Sequence, residues 1–105
     1  VKELLNYFQG TCERHGFVMK DGSIIELENK SQTPEDSYLG DPEQVIKYCD
    51  DAVATWHTHP GKDSNLSAGD HDNFMNWPNL DHFIIGEDGI SRYKVRGKVL
   101  IKDDA

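Results

Sequence analysis

No stretch of the chain approaches the roughly 20 consecutive apolar residues of a membrane-spanning helix, so no membrane partner is expected. A basic segment leading into an apolar run is also missing, so the sequence shows no signal peptide. Cysteine is scarce: Cys12 and Cys49 form no C-x-x-C pair, no disulfide framework is indicated, and a reducing, cytoplasmic setting is expected. Positive charge is short as well, with 11 Lys and Arg against 19 Asp and Glu and a net charge of -8. The clustered cations that phosphate contacts require are therefore absent, and nucleic acid is excluded as an expected partner. Such acidity suits a metal site or a basic partner, although solubility alone accounts for it. There is no internal repeat and no low-complexity segment.

What is present suits one small globular domain over residues 1–105, 36% hydrophobic and 29% charged. Leu4, Leu5 and Phe8 share one helical face, which predicts a helix over 2–8 stopped by Gly10. Gly16 to Lys20 and Ser23 to Glu28 read as two strands of a hairpin turning at Asp21-Gly22. The polar segment 29–41 reads as loop, with a short extended piece at Ser37-Tyr38-Leu39. Asp41-Pro42-Glu43 has the N-cap, first-turn proline and early acid of a helix start, with Val45, Ile46 and Cys49 as its apolar stripe. A buried strand is expected over 52–57, a helix over 67–77 ended by Pro78, and further strands over 81–86, 90–95 and 98–101, before a polar tail at 102–105. About six strands with three helices between them predict an α/β domain with a mixed sheet.

The chain is organised around Thr55-Trp56-His57-Thr58-His59-Pro60 and the following Ser67-Ala68-Gly69-Asp70. Alternate residues of a strand point to the same face, so His57 and His59 can aim two imidazoles at one point. Pro60-Gly61 turns the chain, and Ser67 opens a helix that can bring the Asp70 carboxylate back beside them. Two His and one Asp leave one position open on a tetrahedral Zn²⁺, the pattern of a catalytic rather than a structural site. Such a metal activates water and polarises a carbonyl, and a nearby carboxylate must then move the proton. The residues alone do not choose Glu13 for that role over Glu26, Glu28 or Glu35. Ser67, at a helix N-terminus, is placed to hydrogen-bond an oxyanion.

Blander readings compete with these. Ser67-x-x-Asp70 resembles a capping box, which needs no catalysis. His57 and His59 could be ordinary strand-end histidines. His71, Asp72 and Asp63 read as solvated surface residues, His15 and His82 as surface or half-buried strand residues, and Cys12 as small buried filler.

Taken whole, His57-x-His59-Pro60, seven residues from His59 to Ser67, and two more to Asp70 resemble the JAMM (MPN+/JAB) metallopeptidase signature. Glu13-Arg14-His15-Gly16-Phe17 resembles the segment that carries the family's glutamate, although many phage and bacterial relatives have Cys-Cys where this chain has Arg14-His15. The stretches Pro34 to Tyr38, Pro42-Glu43, Asp81 to Ile85 and Ile90 to Lys94 are similar to the compact domain of phage tail-assembly proteins of the lambda K type. The resemblance implies a cytidine-deaminase-like fold and a Zn²⁺ cofactor. It implies His57, His59 and Asp70 as metal ligands, Glu13 as acid/base and Ser67 as oxyanion donor. It implies a peptidase or isopeptidase acting on a protein or peptide, such as a ubiquitin-like or phage tail-tip protein, in the bacterial host cytoplasm if phage-encoded. The alternative is a non-catalytic interaction module of the MPN type within an assembly. A zinc deaminase is set aside, because His-x-Glu and Pro-Cys-x-x-Cys are both absent.

Overall fold

The computed structural model describes residues 2–103; Val1 and the last two residues of the expected polar tail lie outside the described residues. Six strands form one mixed sheet: β1 (His15–Met19), β2 (Ile24–Leu27), β3 (Ala52–Thr58), β4 (Asp81–Gly86), β5 (Gly89–Arg96) and β6 (Val99–Asp103). Their order across the sheet is β2-β1-β3-β4-β5-β6. Neighbours run antiparallel except β3 and β4, which are parallel. A parallel pair needs a crossover, and residues 59–80 provide it, carrying helix α2 (Ala68–Met75). That crossover starts where β3 ends, so whatever β3 presents at its last residues faces the first turn of α2.

The strands follow the sequence reading closely, except that Lys102 and Asp103 continue β6 rather than forming a tail. The helices depart further. Residues Lys2–Tyr7 wind as a 3₁₀-helix that buries Leu4 alone, while Leu5 stays exposed. Helix α1 (Pro42–Tyr48) starts as expected, with the Asp41 carboxylate accepting the Glu43 N–H at 3.4 Å. Its stripe is narrower than expected, because Ile46 is 73% exposed and only Val45, Tyr48 and Cys49 pack inward. Among the described residues the 29–41 segment holds no strand.

Each face of the sheet has its own core. On one face Ala54 and Trp56 of β3 pack with Phe83 and Ile85 of β4 under Leu4. On the other, Phe74 of α2 packs on Ile84 and Tyr93, and α1 covers Phe17 and Leu27. Burying a side chain of this size contributes about 1.5–3 kcal/mol, so Trp56 and Leu4 anchor one face as Phe74 does the other. Gly16 permits close contact at the β1–β3 seam. A Cβ there would stand 1.8 Å from the Ile25 carbonyl oxygen, which accepts the Trp56 Nε1–H at 3.3 Å. Among the described residues no helix is long and apolar enough to cross a membrane.

Candidate metal centre

The alternation of β3 decides which side chains meet α2. Trp56 points into the first core, so His57 points to the opposite face, where α2 packs. His59 lies just beyond the strand, still held to β4 by its N–H on the Ile85 carbonyl at 2.8 Å. Asp70 sits in the first turn of α2, fixed by a complete capping box: its N–H donates to Ser67 Oγ at 3.1 Å and its Oδ2 accepts the Ser67 N–H at 3.0 Å. The cap and the site therefore use the same residues. The box aims the carboxylate, and Asp70 Oδ1 lies 3.1 Å from His57 Nε2 while Oδ2 lies 3.1 Å from His59 Nε2.

Packing and hydrogen bonding orient the two imidazoles differently. His59 Nδ1–H donates to the Asp63 carbonyl at 3.0 Å, which turns Nε2 toward the cluster. His57 is fully buried between Tyr38, at a ring separation of 4.6 Å, and Phe74, at 5.9 Å. Its Nδ1 has no partner among the described residues, so the ring is held by stacking and, at Nε2, by Asp70 Oδ1. Burial lowers the His57 pKa. Burial also pulls His59 down, but its bonds to Asp70 and the Asp63 carbonyl outweigh that and the net shift is upward. Burial would raise the Asp70 carboxyl, yet the two imidazoles hold it far below the usual carboxylate range.

Glu13 reaches this cluster from the other side of β3. The main chain just before β1 clips to the end of β3: Thr58 N–H donates to the Arg14 carbonyl, and Arg14 N–H to Thr58 Oγ1, each at 2.9 Å. Asn29 Nδ2 donates to the Glu13 carbonyl at 2.9 Å, and Glu13 N–H donates to the Pro34 carbonyl at 2.6 Å. The Glu13 side chain is 5% exposed, and burial raises its pKa to about 7. Glu13, His57 and His59 each offer a ligand atom within 4.8 Å of the other two. The competing glutamates lie elsewhere: Glu26 pairs with Arg14 through two bonds of 2.7 Å, Glu28 lies beside Lys30, and Glu35 is exposed.

Around the cluster opens a cavity of about 570 Å³ lined by Glu13, Tyr38, His59, Ser67, Asp70 and Asn73, among others. Ser67 is exposed at its edge; its Oγ accepts the Asp70 N–H, which leaves its O–H to donate elsewhere. All five candidate residues thus converge on one place. Sequence reasoning missed Tyr38 and Asn73. Asn73 Nδ2 donates to the Tyr38 hydroxyl at 2.8 Å and holds the ring that covers His57. The available signals were a single tyrosine within a polar loop and a residue one helical turn beyond Asp70.

Other expectations need correction. Cys12 is exposed rather than filler, because the turn before β1 carries it to the surface. His15 and His82 are both buried. His15 Nε2–H donates to the Glu28 carbonyl at 2.9 Å, and His82 Nε2–H to the Trp77 carbonyl at 3.0 Å, so each burial is compensated. His71 and Asp72 are exposed as expected. Asp63 is exposed too, but its main-chain carbonyl belongs to the site.

The donor atoms fit a small divalent ion. Tetrahedral zinc with arms of 2.0–2.1 Å has ligand atoms about 3.3 Å apart. The two Nε2 atoms lie 3.0 Å apart, and each has an Asp70 oxygen at 3.1 Å. Two imidazole nitrogens and one carboxylate form a set that several divalent first-row metals accept, zinc and iron among them.

No family model and no curated protein matches the chain. The chain is similar in fold to the solution structure of protein DSY2949 from Desulfitobacterium hafniense. The TM-score is 0.72 at 20% identity, over 96% of this chain and 83% of that one. At this identity the likeness is one of fold.

Proposed function

We propose that this domain is a JAMM-type (MPN+/JAB) zinc metallopeptidase with a cytidine-deaminase-like fold. On this reading it hydrolyses a peptide or isopeptide bond in a protein or peptide substrate, with a ubiquitin-like or phage tail-tip protein as the substrate class to search first. The observation that carries the reading is the meeting of His57, His59 and Asp70 at about 3 Å from one another, with the buried Glu13 carboxyl beside them. His57 and His59 through Nε2 and Asp70 through its carboxylate would hold the ion. Zn²⁺ bound there would supply Lewis acidity toward a carbonyl and a water acidified to near neutrality.

The chain's own residues supply the rest. The Glu13 carboxylate takes a proton from the attacking water, and the same carboxyl delivers it to the leaving nitrogen as the C–N bond breaks. Burial of the Glu13 carboxyl favours its protonated form, the charge of a bound ion would favour the carboxylate, and a group balanced in this way can both accept and give that proton. The Ser67 O–H donates to the carbonyl oxygen as negative charge develops on it. The test is hydrolysis of quenched peptides and isopeptide-linked probes by the zinc-loaded protein beside Glu13→Gln. Cleavage that needs both zinc and Glu13 supports the reading. A zinc-loaded protein that cleaves nothing supports the MPN-type interaction module instead.

A further inference from the structure

The Nδ1 side of the His59 ring is held by one main-chain carbonyl, that of Asp63. A carbonyl and the next residue's N–H lie in one peptide plane and point in opposite directions. The N–H paired with the Asp63 carbonyl belongs to Ser64, and it donates to Asp88 Oδ1 at 2.8 Å. Asp88 lies in the turn between β4 and β5. Asp88 and His59 thus grip opposite ends of a single peptide unit.

The rest of this corner holds the same unit. Ser64 is 1% exposed, and its hydroxyl donates to Asp88 Oδ2 at 3.1 Å. That donation commits the Ser64 proton, so the Ser91 hydroxyl, 2.5 Å away, is the donor to Ser64 Oγ. Tyr93 O–H donates to the Ser64 carbonyl at 3.2 Å. Beneath them lies Gly86: a Cβ there would stand 2.4 Å from the Asp63 carbonyl carbon and 2.5 Å from the Ser64 nitrogen. The peptide therefore rests directly on the β4 backbone, with no room to rotate toward it. The Lys62–Asp36 pair on the other side of this loop joins two exposed side chains at 3.4 Å and contributes little; Asp88 is exposed too, but its partner Ser64 is buried.

We propose that Asp88 is a positioning residue for the metal centre, which acts by fixing the Asp63–Ser64 peptide plane so that the Asp63 carbonyl holds His59 with Nε2 facing His57 and Asp70. This rests on the reading of the cluster as a metal site. A partner that orients a ligating histidine commonly contributes 10–100-fold in metal affinity. Here that contribution is made two steps away, from a hairpin turn outside the motif.

The experiment is Zn²⁺ affinity by chelator competition for wild type, Asp88→Asn and Asp88→Ala. Leu4→Ala, buried on the opposite face, serves as the destabilised control. Imidazole ¹⁵N–¹H spectra of the zinc-loaded proteins are read alongside. Asp88→Ala is expected to weaken Zn²⁺ about 10-fold or more and to speed exchange of the His59 Nδ1 proton, with Asp88→Asn between it and wild type. Leu4→Ala is expected to lose stability with its Zn²⁺ affinity unchanged. Equal affinity and an equally protected Nδ1 proton in Asp88→Ala overturn the positioning role while the metal site stands. A wild type that takes up no Zn²⁺ overturns the metal reading and the proposal with it.

Discussion

The Nε2 atoms of His57 and His59 stand 3.0 Å apart, each 3.1 Å from an oxygen of Asp70. Two bare nitrogen lone pairs repel at that distance; protons donated to the Asp70 oxygens relieve this, and so would a cation shared by the three groups. Bound metal requires both imidazoles neutral, and its uptake displaces protons. Zn²⁺ affinity is therefore expected to fall as pH drops through the titration of His59, whose burial is outweighed by its bonds to Asp70 and the Asp63 carbonyl so that its pKa lies above the ordinary histidine value, with proton release measurable by calorimetry in two buffers of different ionisation enthalpy. An affinity independent of pH between 5 and 8 would contradict coordination by these two nitrogens.

Glu13→Gln removes the proton carrier and keeps the shape of the side chain. Bound zinc is expected to stay at the wild-type level while hydrolysis falls about 10²-fold or more. In the zinc-free protein the Glu13 carboxyl is expected to titrate near 7, read from its ¹³C shift. Because its folded pKa is raised, the stability it contributes is full below 4.5 and is lost as pH rises through 7. Zinc-free Glu13→Gln should therefore gain on wild type above pH 7 and not below pH 4.5. A carboxyl titrating near 4.5 would show that burial does not tune this group.

Ser67 caps α2 and is proposed to donate to the oxyanion, and the two roles can be separated. Ser67→Ala removes the cap as well as the hydroxyl donor; about 1 kcal/mol of stability and about 10²-fold in rate should go together. Ser67→Gly leaves an N-cap residue that costs only a few tenths of a kcal/mol and offers no side-chain donor. Thermal unfolding and turnover measured on both variants decide the matter. The Gly variant should keep most of its stability and stay slow; wild-type turnover in it would reduce Ser67 to a cap.

The strands were legible because β1, β3 and β4 alternate or run apolar between clear turn signals, and because Asp21-Gly22 marks its hairpin. The meeting of His57, His59 and Asp70 was legible because one strand and one capped helix set their spacing locally. The first helix was less so: the pattern of Leu4, Leu5 and Phe8 fits an α-helix, but the chain winds as 3₁₀ and Leu5 faces solvent. Ile46 misled the reading of α1 for a similar reason, since nothing packs over its face of so short a helix. Tyr38, Asn73, Ser64 and Asp88 escaped altogether. Their contacts span 24 to 35 residues, and no local periodicity encodes them.

His82 shows what burial of a histidine does outside the candidate ligand set. It stacks on Phe74 at 4.2 Å, donates to the Trp77 carbonyl and accepts the Thr55 hydroxyl at 2.7 Å. Burial lowers its pKa from 6.5 to about 4. The unfolded chain therefore takes up a proton that the folded chain refuses, and stability is lost as pH falls from 6.5 to 4, by roughly 3 kcal/mol. Urea unfolding of wild type beside His82→Gln across that window should show a steeper acid loss for wild type. Parallel curves would place the acid sensitivity elsewhere.

The most direct test of the central claim is the zinc content of the purified protein, by elemental analysis, with wild type beside His59→Ala. The account predicts about one zinc per wild-type chain and almost none in the variant. No zinc in wild type after metal is added back, or a full complement in His59→Ala, would contradict it.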